Sequence, residues 1–159
     1  MNKAQSSLGI QILLVLLFSG LFYFFSADQA LLESLLFFVG SCLGVALLYL
    51  DEQYFSSRYA AEGVEHGVVI TRSILFVLTL VPLGIFLLTS SGSALGFGLF
   101  MMILTGIFVE MVLIRKDTTR FHLRFLSQLK KPWNQQQVLT YISGLGFFWL
   151  YLLVRLFIL

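Results

Sequence analysis

Charged residues are scarce in this sequence: Asp, Glu, Lys and Arg make up 11 % of the chain, against 58 % apolar residues. A water-facing domain typically carries charge at about a quarter of its positions, so this balance excludes an ordinary soluble fold. The mean hydropathy of +0.94 leads to the same conclusion. The net charge of +2 is too small to favour a nucleic-acid partner, and no recognition module is present.

Cysteine and catalytic motifs are also nearly absent. Cys42 is the only cysteine, so no disulfide can form within the chain, and no cysteine spacing indicates a structural metal site. The glycines of residues 143–146 lie in an apolar run without a phosphate-binding context. We therefore expect no catalytic residue, no metal and no cofactor. Four acidic or imidazole residues in the loops could in principle bind a metal, but their spacing matches no known metal site and is typical of solvated loop residues. They are Glu62, Glu65, His66 and His122.

Long apolar runs are what the sequence does contain. A helix rises ~1.5 Å per residue, so about 18 apolar residues cross a hydrocarbon layer of ~30 Å. The runs predict a single all-α domain, an integral membrane bundle with five transmembrane helices: residues 8–25, 31–50, 68–88, 94–114 and 138–159. A signal peptide is the alternative for the first run. Its length, and the lack of a small-residue cleavage site after Phe25, favour a retained helix.

The basic residues are unevenly distributed around these predicted spans. Six of the ten Lys and Arg residues lie in the stretch 115–133, between the fourth and fifth spans. Lys and Arg in short loops remain on the cytoplasmic side of a membrane. The pattern therefore predicts a cytoplasmic N-terminus and an extracytoplasmic C-terminus, with Arg155 alone on the outer side. We expect a multi-pass protein of a bacterial cytoplasmic (inner) membrane.

Four charged residues fall inside the predicted spans, close to their ends. Arg72 and Glu110 lie at a similar depth near the cytoplasmic boundary, and Glu33 and Arg155 lie near the opposite one. Charged groups in hydrocarbon are costly and usually face a partner within the bundle. We predict two ion pairs that each join two helices, Arg72 with Glu110 and Glu33 with Arg155, although Asp28 competes for Arg155. The alternative is that each side chain reaches the headgroups by itself.

Two glycines, Gly40 and Gly44, lie one helical turn apart in the second predicted span. Small residues at this spacing allow two helix backbones to approach closely. The pattern predicts a helix-packing contact within the bundle, with a contact between two copies of the chain as the alternative.

Apolar and basic residues alternate at helical spacing in the segment 118–131, where Phe121, Phe125 and Leu129 recur. This pattern predicts a cytoplasmic amphipathic helix on the membrane surface. A solvated connector is the alternative. The residues expected to contact anionic lipid headgroups are Arg120, Arg124, Lys130 and Lys131.

Packing faces and interfacial anchors are evident in the sequence, whereas a polar group at mid-membrane depth is not. We therefore expect a non-enzymatic scaffold or accessory subunit of a membrane assembly. Its partners would be the lipid bilayer and another membrane protein or a second copy. A small transporter or channel that works as an oligomer is the first alternative, favoured by any water-filled cavity reaching Glu33 or Glu110. A membrane enzyme acting on lipid is the second, and requires His66, His122 and the cytoplasmic carboxylates to converge.

Overall fold

The computed structural model describes residues 3–25, 31–55 and 70–158, and the regular structure within these ranges is entirely helical. Two five-residue π-helical turns, Asp51–Phe55 and Leu87–Ser91, follow the second and third α-helices directly. The described ranges contain six α-helices: α1 (Lys3–Phe25), α2 (Leu31–Leu50), α3 (Ile74–Phe86), α4 (Ala94–Ile114), α5 (Thr118–Phe125) and α6 (Gln135–Ile158).

Three segments are long and apolar enough to cross a membrane: Leu31–Tyr54, Ala94–Ile114 and Gln135–Arg155. Two other apolar helical stretches, Gly9–Phe24 and Ile74–Ser90, are shorter. The protein is therefore all-helical, with three candidate membrane-spanning helices in the part of the chain that is described. The first and third predicted spans correspond to the two shorter stretches.

Polar caps explain why two helices begin where they do. α3 begins at Ile74 because the Ser73 hydroxyl accepts a hydrogen bond from the Phe76 N–H at 3.1 Å. Arg72 therefore precedes this helix, in the 3₁₀ turn Ile70–Arg72, and does not lie one turn inside it as the sequence predicts.

α6 begins at Gln135, ahead of the apolar run at 138 that defines the predicted span. The reason is a reciprocal pair of hydrogen bonds. The Gln137 N–H donates to Asn134 Oδ1 at 2.8 Å, and the Asn134 N–H donates to Gln137 Oε1 at 3.0 Å. This capping box satisfies backbone donors at the start of the helix, so the helix extends into its polar flank.

The fourth helix, α4, lies at the centre of the bundle and contacts each of the other five α-helices. Its middle is continuously buried from Phe97 to Ile107, apart from the half-buried Leu99. α6 joins it through a hydrogen bond from the Trp149 indole N–H to Thr105 Oγ1 at 2.9 Å. The core of the protein is therefore arranged around one apolar helix.

The contact between α2 and α4 is the most extensive in the bundle, and glycines make it possible. A Cβ atom on Gly40 would collide with the backbone carbonyl of Leu95, and one on Gly44 would lie 2.7 Å from the Leu99 carbonyl oxygen. From the other side, Gly98 lies against the carbonyl of Phe37. The two backbones are thus in direct contact, and the glycines predicted to pack a helix do so within the chain.

Candidate functional site

Five charged side chains meet at one end of the bundle, and we call them the charge cluster. They come from four places in the chain: the π-helical turn after α2, the 3₁₀ turn before α3, the end of α4, and α5. The members are Asp51, Glu52, Arg72, Glu110 and Arg124.

Arg72 is the centre of the charge cluster and is only 2 % exposed. Its Nε donates to Glu110 Oε2 at 2.9 Å, and its Nη2 donates to Glu52 Oε2 at 3.1 Å. The remaining nitrogen, Nη1, donates to the Leu48 carbonyl at 3.4 Å and to Thr71 Oγ1 at 3.2 Å. A buried guanidinium is tolerated when its planar set of donors finds such partners, and all three of its nitrogens do.

Arg124 completes the charge cluster from α5, with its side chain 24 % exposed. Its Nη2 donates to Glu52 Oε1 at 2.8 Å, and its Nε lies against Glu110 Oε1. Burial by itself would lower the pKa of Arg124, but the charges of Glu110 and Glu52 more than offset this and raise it. Each glutamate therefore bridges both arginines, and Arg72, Glu52, Arg124 and Glu110 form a four-residue ring of alternating charge.

Asp51 lies beside this ring and is 4 % exposed. Its Oδ2 accepts hydrogen bonds from the backbone N–H of Thr71, at 2.7 Å, and from the Thr71 hydroxyl. Arg72 Nη1 is 3.9 Å away, which is a weaker contact. Asp51 thus attaches the end of α2 to the turn that carries Arg72, because its partner donors belong to the neighbouring residue.

The arrangement acts as a clamp on four chain segments. Its ionised members carry two positive and three negative charges, so opposite charges nearly balance. No group of three or more His, Cys, Asp or Glu residues in the described ranges is placed to hold a metal ion. The contacts observed within the charge cluster are ion pairs and hydrogen bonds.

The structure brings together one of the two predicted pairs. Arg72 and Glu110 are in direct contact, whereas Glu33 and Arg155 are each exposed and form no ion pair with each other in the described chain. The reason is the helix arrangement: α2 packs mainly on α1 and α4, and α6 packs on α4 and α1, so α2 and α6 share little contact. Asp28, the competing partner, lies outside the described residues.

Sequence reasoning missed three members of the charge cluster, Asp51, Glu52 and Arg124. A signal existed for Asp51, which falls on the same helical face as Gly40 and Gly44, the face that packs on α4. Nothing comparable marked Glu52 or Arg124, because a charged residue in a polar connector has the same pattern whether it is solvated or paired.

The basic connector differs from the predicted surface helix in length and in what it contacts. α5 is eight residues long and ends at Phe125. Its apolar side chains, Phe121 and Phe125, are fully buried in the protein core along with Leu126, so they contact protein where lipid was expected. Because this side of α5 packs against the protein, Arg124 also contacts the charge cluster. The other residues predicted to contact headgroups are exposed: Arg120, Lys130 and Lys131.

The fold and the charge cluster together define an all-helical protein with candidate membrane-spanning helices and an ion-paired clamp at one end. Comparisons of the chain with protein-family models, with curated proteins and with solved structures found no match.

Proposed function

We propose that the protein is a non-enzymatic scaffold or accessory subunit of a bacterial cytoplasmic membrane, crossing it five times. The observation that carries this proposal is the four-residue ring of Arg72, Glu52, Arg124 and Glu110. The ring fixes a polar connector onto the bundle, which gives a rigid surface outside the membrane and leaves the four charges committed to each other.

Exposed apolar side chains support five crossings. On α1, Leu13 and Phe24 are 63 % and 76 % exposed, and on α3, Leu75 and Leu78 are 65 % and 54 % exposed. Apolar surface left in water costs ~25 cal/mol per Å², so faces of this kind are favourable against lipid. The continuous helical residues from Ile74 to Ser91, at ~1.5 Å each, also give α3 and the turn after it a length of ~27 Å, close to the ~30 Å of the hydrocarbon layer.

The position of the exposed basic residues supports the orientation. Arg115 and Lys116 follow α4, and Lys130 and Lys131 precede α6, so they belong to the same end of the bundle as the charge cluster. The connector at the other end, between α3 and α4, has no Lys or Arg in residues 87–93. By the rule that basic loops remain inside, the cluster end is cytoplasmic.

Transport is the second candidate, and the packing argues against it. A water-filled path reaching Glu33 or Glu110 would favour it, but Glu110 is paired twice in the ring and Glu33 is on the exposed surface. The α2–α4 contact is backbone against backbone and leaves no room for a path between these helices. A lipid enzyme would require His66 to approach His122, which lies on α5, and His66 lies outside the described residues.

The test is to purify the tagged full-length protein in a mild detergent and to identify what accompanies it. If the protein is a scaffold, the wild-type protein is expected to retain another membrane protein in stoichiometric amount during purification. The scaffold role also predicts that the purified protein in vesicles passes no more ions or small solutes than protein-free vesicles. For variants that remove a ring carboxylate, Glu33→Gln is a suitable matched control, because Glu33 is a carboxylate outside the ring. Flux through the wild-type protein, with no companion recovered, would contradict the proposal.

A further inference from the structure

A cavity of about 520 Å³ lies where the connector enters α6. It is open to the surface, because four of its six lining residues are exposed. No member of the charge cluster lines it, so it is a separate feature of the protein. Its walls combine two aromatic side chains with four uncharged polar ones: Trp133, Tyr141, Asn134, Gln136, Gln137 and Thr140.

The capping box of α6 determines which polar atoms remain available in this cavity. The side-chain oxygens of Asn134 and Gln137 each accept one backbone N–H and keep a second lone pair, and the NH₂ group of each carboxamide is left to donate. Gln136 adds a third carboxamide, and its side chain is exposed. The two capping residues therefore offer their NH₂ groups to a ligand as hydrogen-bond donors.

The Tyr141 hydroxyl adds a further donor. It is buried and has no hydrogen-bond partner within the described residues. The Trp133 ring packs edge-on against the Tyr141 ring, with 5.6 Å between the ring centroids, and this contact fixes the tyrosine. A buried hydroxyl without an acceptor is unfavourable, and a ligand oxygen in the cavity would supply the acceptor.

The complement of these donors is a group that accepts several hydrogen bonds, such as an oxyanion. Lys130 and Lys131 are exposed and precede Trp133 in the chain by three and two positions, so they add positive charge near the site. Trp and Tyr are also the residues typical of headgroup depth in membrane proteins. We infer that this cavity binds the phosphate of an anionic phospholipid headgroup. The inference rests on the membrane placement of the proposed function and is independent of the scaffold role.

The experiment measures lipid binding to the full-length protein in detergent by native mass spectrometry, with phosphatidylglycerol as the probe and phosphatidylcholine as the neutral comparison. The test variant is Gln136→Ala with Tyr141→Phe, which removes two donors and leaves the capping box and the aromatic packing in place. The matched control is Gln135→Ala with Tyr151→Phe, two exposed residues of the same helix that do not line the cavity.

Wild type and control are expected to bind one phosphatidylglycerol with equal affinity and to bind phosphatidylcholine more weakly. The test variant is expected to lose about tenfold in affinity for phosphatidylglycerol, since hydrogen bonds to a charged oxygen are the stronger kind. Unchanged binding in the test variant, or equal binding of the two lipids, would overturn the inference.

Inorganic phosphate, added as a competitor, separates a lipid headgroup from a free phosphate. Displacement of the lipid by millimolar phosphate would overturn the lipid source. Recovery of a stoichiometric companion protein without any lipid preference would contradict only the cavity inference, so its failure is distinct from failure of the proposed function.

Discussion

Glu52 and Glu110 share the same two partners, because each of these carboxylates contacts both Arg72 and Arg124. Glu52 belongs to the turn that continues α2, and Glu110 belongs to the last part of α4. These glutamates and the two arginines form the ring. The ring therefore connects the contact between α2 and α4, the most extensive in the bundle, to the start of α3 and to the connector. Its energetic role can be measured one residue at a time.

Removing one carboxylate from the ring is expected to be costly. Glu110→Gln leaves Arg72 buried with less than its full set of negative partners, and breaking a buried pair costs up to about 3–5 kcal/mol. Since the Glu110 side chain is 20 % exposed, we expect a smaller loss, about 2–3 kcal/mol, in the free energy of unfolding. Denaturation in detergent, followed by circular dichroism, measures it.

The control for this change is Glu33→Gln, which removes an exposed carboxylate that forms no ion pair with Arg155 in the described chain. Its effect is expected to remain within about 0.5 kcal/mol. Equal losses in the two variants would show that the ring has no special role, and would support unpaired side chains that reach the headgroups.

Arg124 and Arg120 provide a matched pair on one helix. Arg124 is in the ring, whereas Arg120 is exposed. Each change to Gln removes one positive charge and one trypsin site, but only Arg124→Gln weakens the attachment of α5. If opening of α5 becomes easier by about 1–1.5 kcal/mol, cleavage at the remaining connector sites accelerates about tenfold.

Limited trypsin digestion of the detergent-solubilised protein measures this difference. Arg120→Gln is expected to be cleaved at the wild-type rate. Wild-type rates in both variants would mean that Phe121 and Phe125 alone, each fully buried, are sufficient to hold the connector.

Replacing glycine by alanine is expected to have opposite effects at Gly98, which lies in the contact between α2 and α4, and at Gly144, which lies in open space. Gly98→Ala places a Cβ atom against the Phe37 carbonyl and is expected to cost about 1–3 kcal/mol, as overpacking does. Gly144→Ala introduces the same atom where nothing lies within 4 Å, and is expected to stabilise α6 by up to about 1 kcal/mol. Both are measured by thermal unfolding in detergent, and a stabilising Gly98→Ala would contradict the backbone contact.

The proposed orientation is tested by labelling in intact cells. In a Cys42→Ser background, single cysteines are introduced at Ser127, on the basic connector, and at Ser90, between α3 and α4, and both positions are exposed. A membrane-impermeant maleimide is expected to modify Ser90→Cys from outside and to reach Ser127→Cys only after permeabilisation. The reverse pattern would invert the topology.

The sequence predicts the parts of this fold that depend on one property at a time. Apolar length alone gives the bounds of α2 and α4, which equal the predicted spans at 31–50 and 94–114. Depth below the membrane boundary suggests Arg72 and Glu110 as partners. The same approach fails for Glu33 and Arg155, because equal depth does not say which helices are neighbours.

The connector marks the other limit of sequence reasoning. The spacing of Phe121 and Phe125 predicts a helix with an apolar side, and α5 has one. An amphipathic pattern does not distinguish an apolar side facing lipid from one facing protein, since both environments favour the same residues. The pairing of Arg124 with Glu52 across 72 positions in the chain has no local signature at all.

The ring also constrains the order in which the molecule can mature. Glu52 and Arg72 are made early, but their shared partners Glu110 and Arg124 come from the later part of the chain. Until that part has been synthesised, the earlier pair has an incomplete set of counter-charges. The ring can therefore close only after the connector has been synthesised.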